Sequence, residues 1–564
     1  MGADKIQILP IRRLTPTSAK PTRSPTSSST SESSADALPA PVKKTRLGKP
    51  KVKTGCKTCK IRRVKCDETK PACDRCTSTG RTCDGYSVVL PKKPARPDTR
   101  TVVIFRSIDT MQGDRTERRA LDFFTKWTAP QLAGFFDRDI WQQMVVQIGS
   151  SEPTIRHAMI ALGSLSESRE KSIVASPLRR TIPISDPLAS KIPQFVTVEG
   201  QDDPFALIHY NKAITHLAQR MQRSDTATDI ALLSCVLFVC IEMLRGEHGP
   251  AMEHFKAGMH IALGASKQKP TTPYNQMRST RKQVMPFFYR LELLAMLTGQ
   301  ESQWEYPFEA MAVVPETFET LLAARDSLVH LMNLSMRHIR SLRVRRYEGD
   351  VTDEDLARQH SLLACLSSWK SAFDSLSMTK CFLPAEQRST HILEIHYITT
   401  ITWLARSDAI SESSTDLYLD DFERAVSLGE TLQLAALAEK THYSTFVFDM
   451  EFVPHIYLIA TKCRHPLVRR RAIAVLRSSF RREGLWDSNS SAAVAERIMQ
   501  REEAGLDVTD GTEWPGESAR IHNAFFDMGS GINPHMHQLT YFSKPDGLQG
   551  EWTIEQETII LQPE

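Results

Sequence analysis

Along most of this chain apolar residues recur at helical spacing, and breaks in that spacing mark its divisions. From about Thr116 a 3.6-residue period persists for roughly 400 residues. Tyr210, Ala213, Ile214, Leu217 and Met221 fall on one predicted helix face, as do Leu467, Ile473, Ala474 and Leu476. A stretch capped from Ser488 carries Ala492, Val494, Ile498 and Met499 inward. The longest apolar run, Ile230 to Ile241, is 12 residues long and contains Ser234. A membrane span needs about 20, so this run predicts a buried core helix. Towards the end the period shortens. Leu539-Thr540-Tyr541-Phe542, a Lys544-Pro545-Asp546-Gly547 turn, Trp552-Thr553-Ile554 and Ile559-Ile560-Leu561 predict a small β-meander.

The first hundred residues have no such period. Residues 15–34 hold sixteen Ser, Thr or Pro out of twenty, too little apolar surface to offset chain entropy. Pro91, Pro94 and Pro97 among basic residues predict an extended linker. Apolar residues from Val102 to Met111 cluster around one turn and never sustain the 3.5-residue repeat of a stable zipper. The expected fold is therefore mostly α. A disordered arm (1–42) precedes a basic segment (43–53), a small cysteine module with short helices (54–86) and a linker (87–115). A large all-α domain (116–530) and a β-rich tail (531–564) follow.

Charge sharpens the division. The chain as a whole carries +5, but residues 43–83 hold fourteen Lys or Arg against Asp67, Glu68 and Asp74. That is +11, so everything else sums to −6. Such a step implies a polyanionic partner for one short segment. Lys43, Lys44, Arg46, Lys49, Lys51 and Lys53 form a split basic run of the kind that carries nuclear import. The N-terminus lacks the apolar core of a secretion signal, and position six is Ile6, not the Ser or Thr of a myristoylation signal. The expectation is a soluble, intracellular protein without a membrane partner, whose clustered cysteines are reduced metal ligands.

Six of the eleven cysteines lie within 28 residues. Cys56-x2-Cys59-x6-Cys66 is followed, 17 residues on, by Cys73-x2-Cys76-x6-Cys83, one unit written twice. A structural zinc takes four thiolates in a tetrahedron, so two ions need eight ligand positions. Six cysteines fill eight positions when two of them bridge. Six thiolates and two Zn2+ leave −2, which neighbouring bases help to neutralise, and so small a segment takes most of its folding free energy from the metal. The halves differ in charge: the first holds Lys57, Lys60, Arg62, Arg63 and Lys65, on and after a short helix. Such a helix fits a major groove, with bases reaching guanine O6 and N7 or neutralising phosphates. The expected partner is double-stranded DNA.

Residues 56–83, CKTCKIRRVKCDETKPACDRCTSTGRTC, resemble the fungal binuclear zinc cluster (six-cysteine) transcription factors in every cysteine spacing and in Pro71. The resemblance implies that Cys56 and Cys73 are the bridging ligands. It implies that Arg62 and Arg63 stand where the family's base- and phosphate-contacting pair stands, and that CGG-type triplets are read. A looser likeness to the family's all-helical regulatory region covers roughly 117–505. It is carried by Ile155-Arg156-His157-Ala158, His209-Tyr210-Asn211-Lys212-Ala213-Ile214, Cys463-Arg464-His465-Pro466 and Arg482-Glu483-Gly484-Leu485-Trp486-Asp487. It implies a nuclear regulator of RNA polymerase II genes, served by co-regulators or a small-molecule effector. Control of a secondary-metabolite gene cluster is the pathway it suggests; dimerisation and target genes stay open.

A second class of function competes: a zinc- or redox-sensing interaction protein whose cluster does not read DNA. The +11 segment discriminates against it, because a sensor has no use for that charge. An enzyme is not expected, since no phosphate-binding glycine loop or nucleophile elbow is present. Cys463 and His465 are one residue apart and cannot complete a metal site, and Cys235 and Cys240 lie in sequence too apolar for a reactive thiolate. Arg469 to Arg471, Arg477, Arg481 and Arg482 read as a solvated helix face laced with ion pairs.

Overall fold

The structure is a computed structural model. It describes residues 55–86, 113–134, 136–175, 203–223, 228–266, 275–297, 299, 313–438, 446–479, 481–526 and 536–560. The expected arm at 1–42, the import segment with Lys43, Lys44, Arg46, Lys49, Lys51 and Lys53, and the linker as far as residue 112 lie outside the described residues. The chain divides into two compact units, Met1–Val102 and Val103–Glu564.

The first unit has two short helices, Lys57–Ile61 and Asp74–Thr77. Its buried centre consists of cysteines: Cys56, Cys59, Cys66, Cys73 and Cys76, with Cys83 and Tyr86 against them. A centre so poor in carbon has almost no hydrophobic contribution to fold on.

The second unit is almost entirely helical and is built around Thr228–Arg245, the helix expected to be core. Every side chain from Ala231 to Leu244 is buried, Ser234 included, and its Oγ donates to the Ile230 carbonyl at 2.6 Å. Pro153–Ala175, Pro204–Arg223, His248–Ser266 and Asn275–Leu297 pack around it. Gly258 lets one of them come close: a Cβ there would lie 2.3 Å from the Phe288 ring. Leu321–Leu342, Asp353–Thr379, Pro384–Ala405, Leu419–Ala438, Val453–Lys462, Pro466–Ser479 and Ser488–Glu502 continue the stack. Trp369 is fully buried and spends its only donor on the Ala324 carbonyl at 2.9 Å. Among the described residues no helix is long and apolar enough to cross a membrane.

Two expected faces need correction. Tyr210 and Ala213 are buried, but Ile214 and Met221 stand exposed. In Pro466–Ser479 the core face is Val468, Ala472, Ile473, Val475 and Leu476, while Leu467 and Ala474 point out. The helix is rotated because Arg469 also faces inward, where Glu502 pairs with it at 2.6 Å. The cap before Ser488 is Asp487, whose carboxylate accepts from the Ser490 N–H at 2.9 Å.

A meander forms as three antiparallel strands in chain order, Ile521–Phe526, Met536–Ser543 and Thr553–Ile560, so the expected runs around Thr553 and Ile559 lie on one strand and the first strand was not foreseen. It begins at Ile521, ahead of the expected tail at 531. Leu539 and Tyr541 are buried against Val494 and Ile498. The turn falls where expected, Gly547 donating to the Lys544 carbonyl at 3.1 Å with φ +93°. A second sheet was not foreseen: Phe446–Val447 runs parallel to Arg482–Glu483, which pairs antiparallel with Trp486–Asp487. Two-residue strands leave no alternation to read.

Candidate metal centre and nucleic-acid interface

Both halves of the cysteine module close the same way. After Lys57–Ile61 the Arg63 N–H donates to the Lys60 carbonyl and the Val64 N–H to that of Cys59, both at 3.1 Å. Seventeen residues on, Gly80 donates to Thr77 and Arg81 to Cys76, both at 3.0 Å. This paired closure puts one residue in the left-handed region, φ +57° at Arg63 and +66° at Gly80. Glycine takes it at no steric cost, whereas arginine carries a Cβ penalty of about 1–2 kcal/mol.

The turns aim the cysteines at one another. Two groups of four sulfurs form, Cys56, Cys59, Cys66 and Cys73, and Cys56, Cys73, Cys76 and Cys83, each with all its sulfurs within 4.8 Å. Cys56 and Cys73 belong to both, which supplies eight ligand positions from six side chains. A tetrahedron with Zn–S bonds of about 2.3 Å has edges of about 3.8 Å. The Sγ separations are 3.5 Å for Cys56–Cys73, 3.6 Å for Cys59–Cys73 and 3.8 Å for Cys56–Cys76. The residues therefore fit two zinc ions sharing an edge. All six cysteines are free. Burial, then the Cys76 and Cys56 sulfurs, pushes the Cys73 thiol far up. Cys66 is also buried, but N–H groups of Cys56 and Glu68 draw it down to about 7.

The rest of the module locks the two halves together. The Asp67 carboxylate accepts from the Asp74 and Arg75 N–H groups at 3.1 and 2.7 Å, capping the second helix from the connecting loop. Its pKa is held down at about 2, first by the Thr69 hydroxyl. Beyond Cys83 the chain turns back. Lys57 donates to the Gly85 carbonyl at 3.0 Å, Thr58 to the Asp84 carboxylate at 2.8 Å, and the Tyr86 hydroxyl to the Thr69 carbonyl at 2.7 Å.

Lys57, Lys60, Arg63 and Lys65 are all exposed. Arg62 differs: it is half-buried, and its Nη1 donates to Thr79 of the second half at 3.4 Å. Ile61 escaped the sequence reading. It is 79% exposed and shares the outward face with Lys57 and Lys60 at i, i+3, i+4 spacing. The helical period alone pointed to it, since it follows Lys57 by four residues.

In the second unit, arginines grouped in the sequence are held by acids. Arg470 pairs with Glu503, Arg471 with Glu430 and Glu423, Arg477 with Glu496, and Arg481 with Glu451 and Glu483. The expected ion pairs are present, but Arg469 and Arg481 are not on a solvated face. Cys463 is buried, and His465 packs on Trp514 with ring centroids 5.3 Å apart. Burial pushes the Cys235 thiol up to about 12.

Comparison with known proteins agrees with this geometry. Residues 54–93 match the fungal Zn(2)-Cys(6) binuclear cluster domain, and residues 119–415 match the fungal specific transcription factor domain. The chain is 24% identical to the aspercryptin biosynthesis cluster-specific transcription regulator of Emericella nidulans, over 85% of this chain and 92% of the relative. It is 31% identical to transcription regulator lscL of Purpureocillium lilacinum, over 38% of this chain and 49% of the relative. It is 39% identical to white-opaque regulator 2 of Candida albicans over 14% of this chain and 17% of the relative. No solved structure matches.

Proposed function

This chain belongs to the fungal specific transcription factor family, and from that premise we propose how it reads DNA and what it controls. It is a DNA-binding transcription regulator, and its cysteine module binds two zinc ions. The observation that carries the reading is the edge-shared pair of sulfur tetrahedra with Lys57, Lys60, Arg63 and Lys65 exposed on the first half. The metal, when bound, supplies folding free energy and orientation. The side chains do the recognition.

Arg63 is the reader of a CGG-type triplet, through a bidentate guanidinium contact to guanine. Its place in the left-handed region supports this: the second half uses glycine there, so the strain at Arg63 is kept for what its side chain does. Lys57, Lys60 and Lys65 position the helix on phosphates. Ile61 meets a sugar or a thymine methyl. Arg62 steadies the two halves through Thr79, in addition to its expected phosphate contact. Lys43, Lys44, Arg46, Lys49, Lys51 and Lys53 carry nuclear import and lie along the DNA backbone. Residues 116–530 set the output through co-regulators or a small-molecule effector. The target genes belong to a secondary-metabolite cluster, a reading supported by the relative named for aspercryptin biosynthesis.

A sensor that does not touch DNA is not favoured, because the exposed bases have no role in it. Salt titration of DNA binding tests the division of labour. Arg63→Ala is expected to lose about 1–3 kcal/mol of discrimination between a CGG site and a scrambled one. Lys53→Ala is expected to weaken both equally and lower the salt slope by about one unit. Identical behaviour of the two variants overturns the assignment.

A further inference from the structure

The two sulfur groups are built from one repeated unit, but the chain does not cover them equally. In the first group Cys56, Cys59, Cys66 and Cys73 are all buried. In the second, Cys56, Cys73 and Cys76 are buried and Cys83 is not. Cys66 and Cys83 hold the same place in their halves, seventeen residues apart. What differs is what lies over them.

Two residues close the first site around Cys66. Gly55 is buried against it so tightly that a Cβ there would lie 2.9 Å from the Cys66 Cβ. Its counterpart in the second half is Ala72, which is only half-buried. Tyr86 lies beyond the last cysteine, in the place that Thr69 holds in the first half, and it turns back onto that first half. Its hydroxyl donates to the Thr69 carbonyl at 2.7 Å and stands 3.8 Å from the Cys66 sulfur. The Lys70 ammonium lies 5.9 Å from the centre of its ring. The tyrosine is thus held against Cys66, while Cys83 keeps part of its surface open to solvent.

Charge ranks the sites the same way. Lys57, Lys60, Arg62, Arg63 and Lys65 lie between the cysteines of the first half, with no acid among them. Between those of the second half, Arg75 and Arg81 are set against Asp74. Nearby cations favour the thiolate, which is the form that holds a metal. Most of these bases are exposed and screened by solvent, so the difference in cover weighs more.

We propose that the two zinc sites are unequal: the first, closed by Gly55 and Tyr86, retains its ion, and the second exchanges its ion through Cys83. Tyr86 is a positioning residue here, acting on the metal through Cys66. Cys56 and Cys73 stay with the first site when the second empties, which frees Cys76 and Cys83 for a soft metal ion or a carbon electrophile. The proposal rests on the two-zinc reading of the module and ranks its sites.

The test titrates the full zinc-loaded chain with EDTA, follows the metal count by native mass spectrometry and labels free thiols with iodoacetamide. A freed thiolate bonds the reagent's carbon and displaces iodide. A one-zinc species is expected to accumulate, labelled at Cys76 and Cys83 and unlabelled at Cys59 and Cys66. Tyr86→Ala is expected to weaken the first site about tenfold, so that both halves take label together. Tyr86→Phe, which keeps the ring, is expected to keep the order. Loss of both ions together from the unaltered chain, or label at Cys59 and Cys66 first, overturns the proposal. A Tyr86→Ala chain that still labels only Cys76 and Cys83 overturns the role given to the tyrosine. If that variant does not fold, the labelling order of the unaltered chain decides. A fully loaded chain that carries one ion defeats the two-zinc reading, and the ranking with it.

Discussion

Arg63 separates what a residue costs from what it does. Arg63→Gly and Arg63→Ala both remove the guanidinium, but only glycine relieves the left-handed backbone at φ +57°. Both are expected to lose CGG discrimination equally. Thermal unfolding of the zinc-loaded module should show the glycine variant about 1 kcal/mol more stable than the alanine one. Equal stability would mean that the turn carries no strain. The cysteines allow a second contrast at this scale. Cys73 sits in both sulfur groups and Cys83 in one. Native mass spectrometry of Cys73→Ala should show both zinc ions lost, and Cys83→Ala only one. The ligand set was legible in the sequence because thiolate coordination needs so few residues at such strict spacing. That Arg62 leans on Thr79 was not legible, because spacing within one half says nothing of contacts with the other.

At the scale of elements, the motif from Arg482 to Asp487 is an end-cap for its neighbours. Glu483 is fully buried, and its Oε2 accepts from the backbone N–H groups of Glu451, Phe452 and Val453 at 2.8, 3.0 and 2.9 Å. That places a carboxylate on the N-terminus of Val453–Lys462, where the helix dipole favours it. Asp487 caps the next helix. Glu483→Ala is expected to destabilise the helical unit by roughly 3–5 kcal/mol in urea unfolding, and Glu483→Gln, which keeps the acceptor, by clearly less. Equal losses would show that charge, not hydrogen bonding, is what matters. Long helices and the Lys544–Gly547 turn were legible from period and turn chemistry. The rotation of Pro466–Ser479 was not, since a buried arginine such as Arg469 is indistinguishable in sequence from a solvated one.

At the scale of the molecule, the helical unit hides neutral histidines whose protonation folding resists. Burial pushes His396 down to about 4, and His455 well below the ordinary 6.5. A folded pKa below the unfolded one means that folding resists protonation. Their contribution is complete above pH 6.5 and is lost as pH falls from 6.5 towards 4. Burial raises the Glu483 and Asp449 carboxyls, which act in the opposite sense over the same range. The urea midpoint should therefore decline between pH 6.5 and 5 more steeply than that of a His396→Phe, His455→Phe double variant; equal slopes contradict this. The zinc-dependent reading of DNA, however, is the claim on which the rest depends. Its most direct measurement is selection of bound sites from random duplex DNA by the full zinc-loaded chain. The expected result is enrichment of one or more CGG-type triplets, abolished by a chelator. Binding without sequence enrichment, or enrichment that survives zinc removal, would contradict the account.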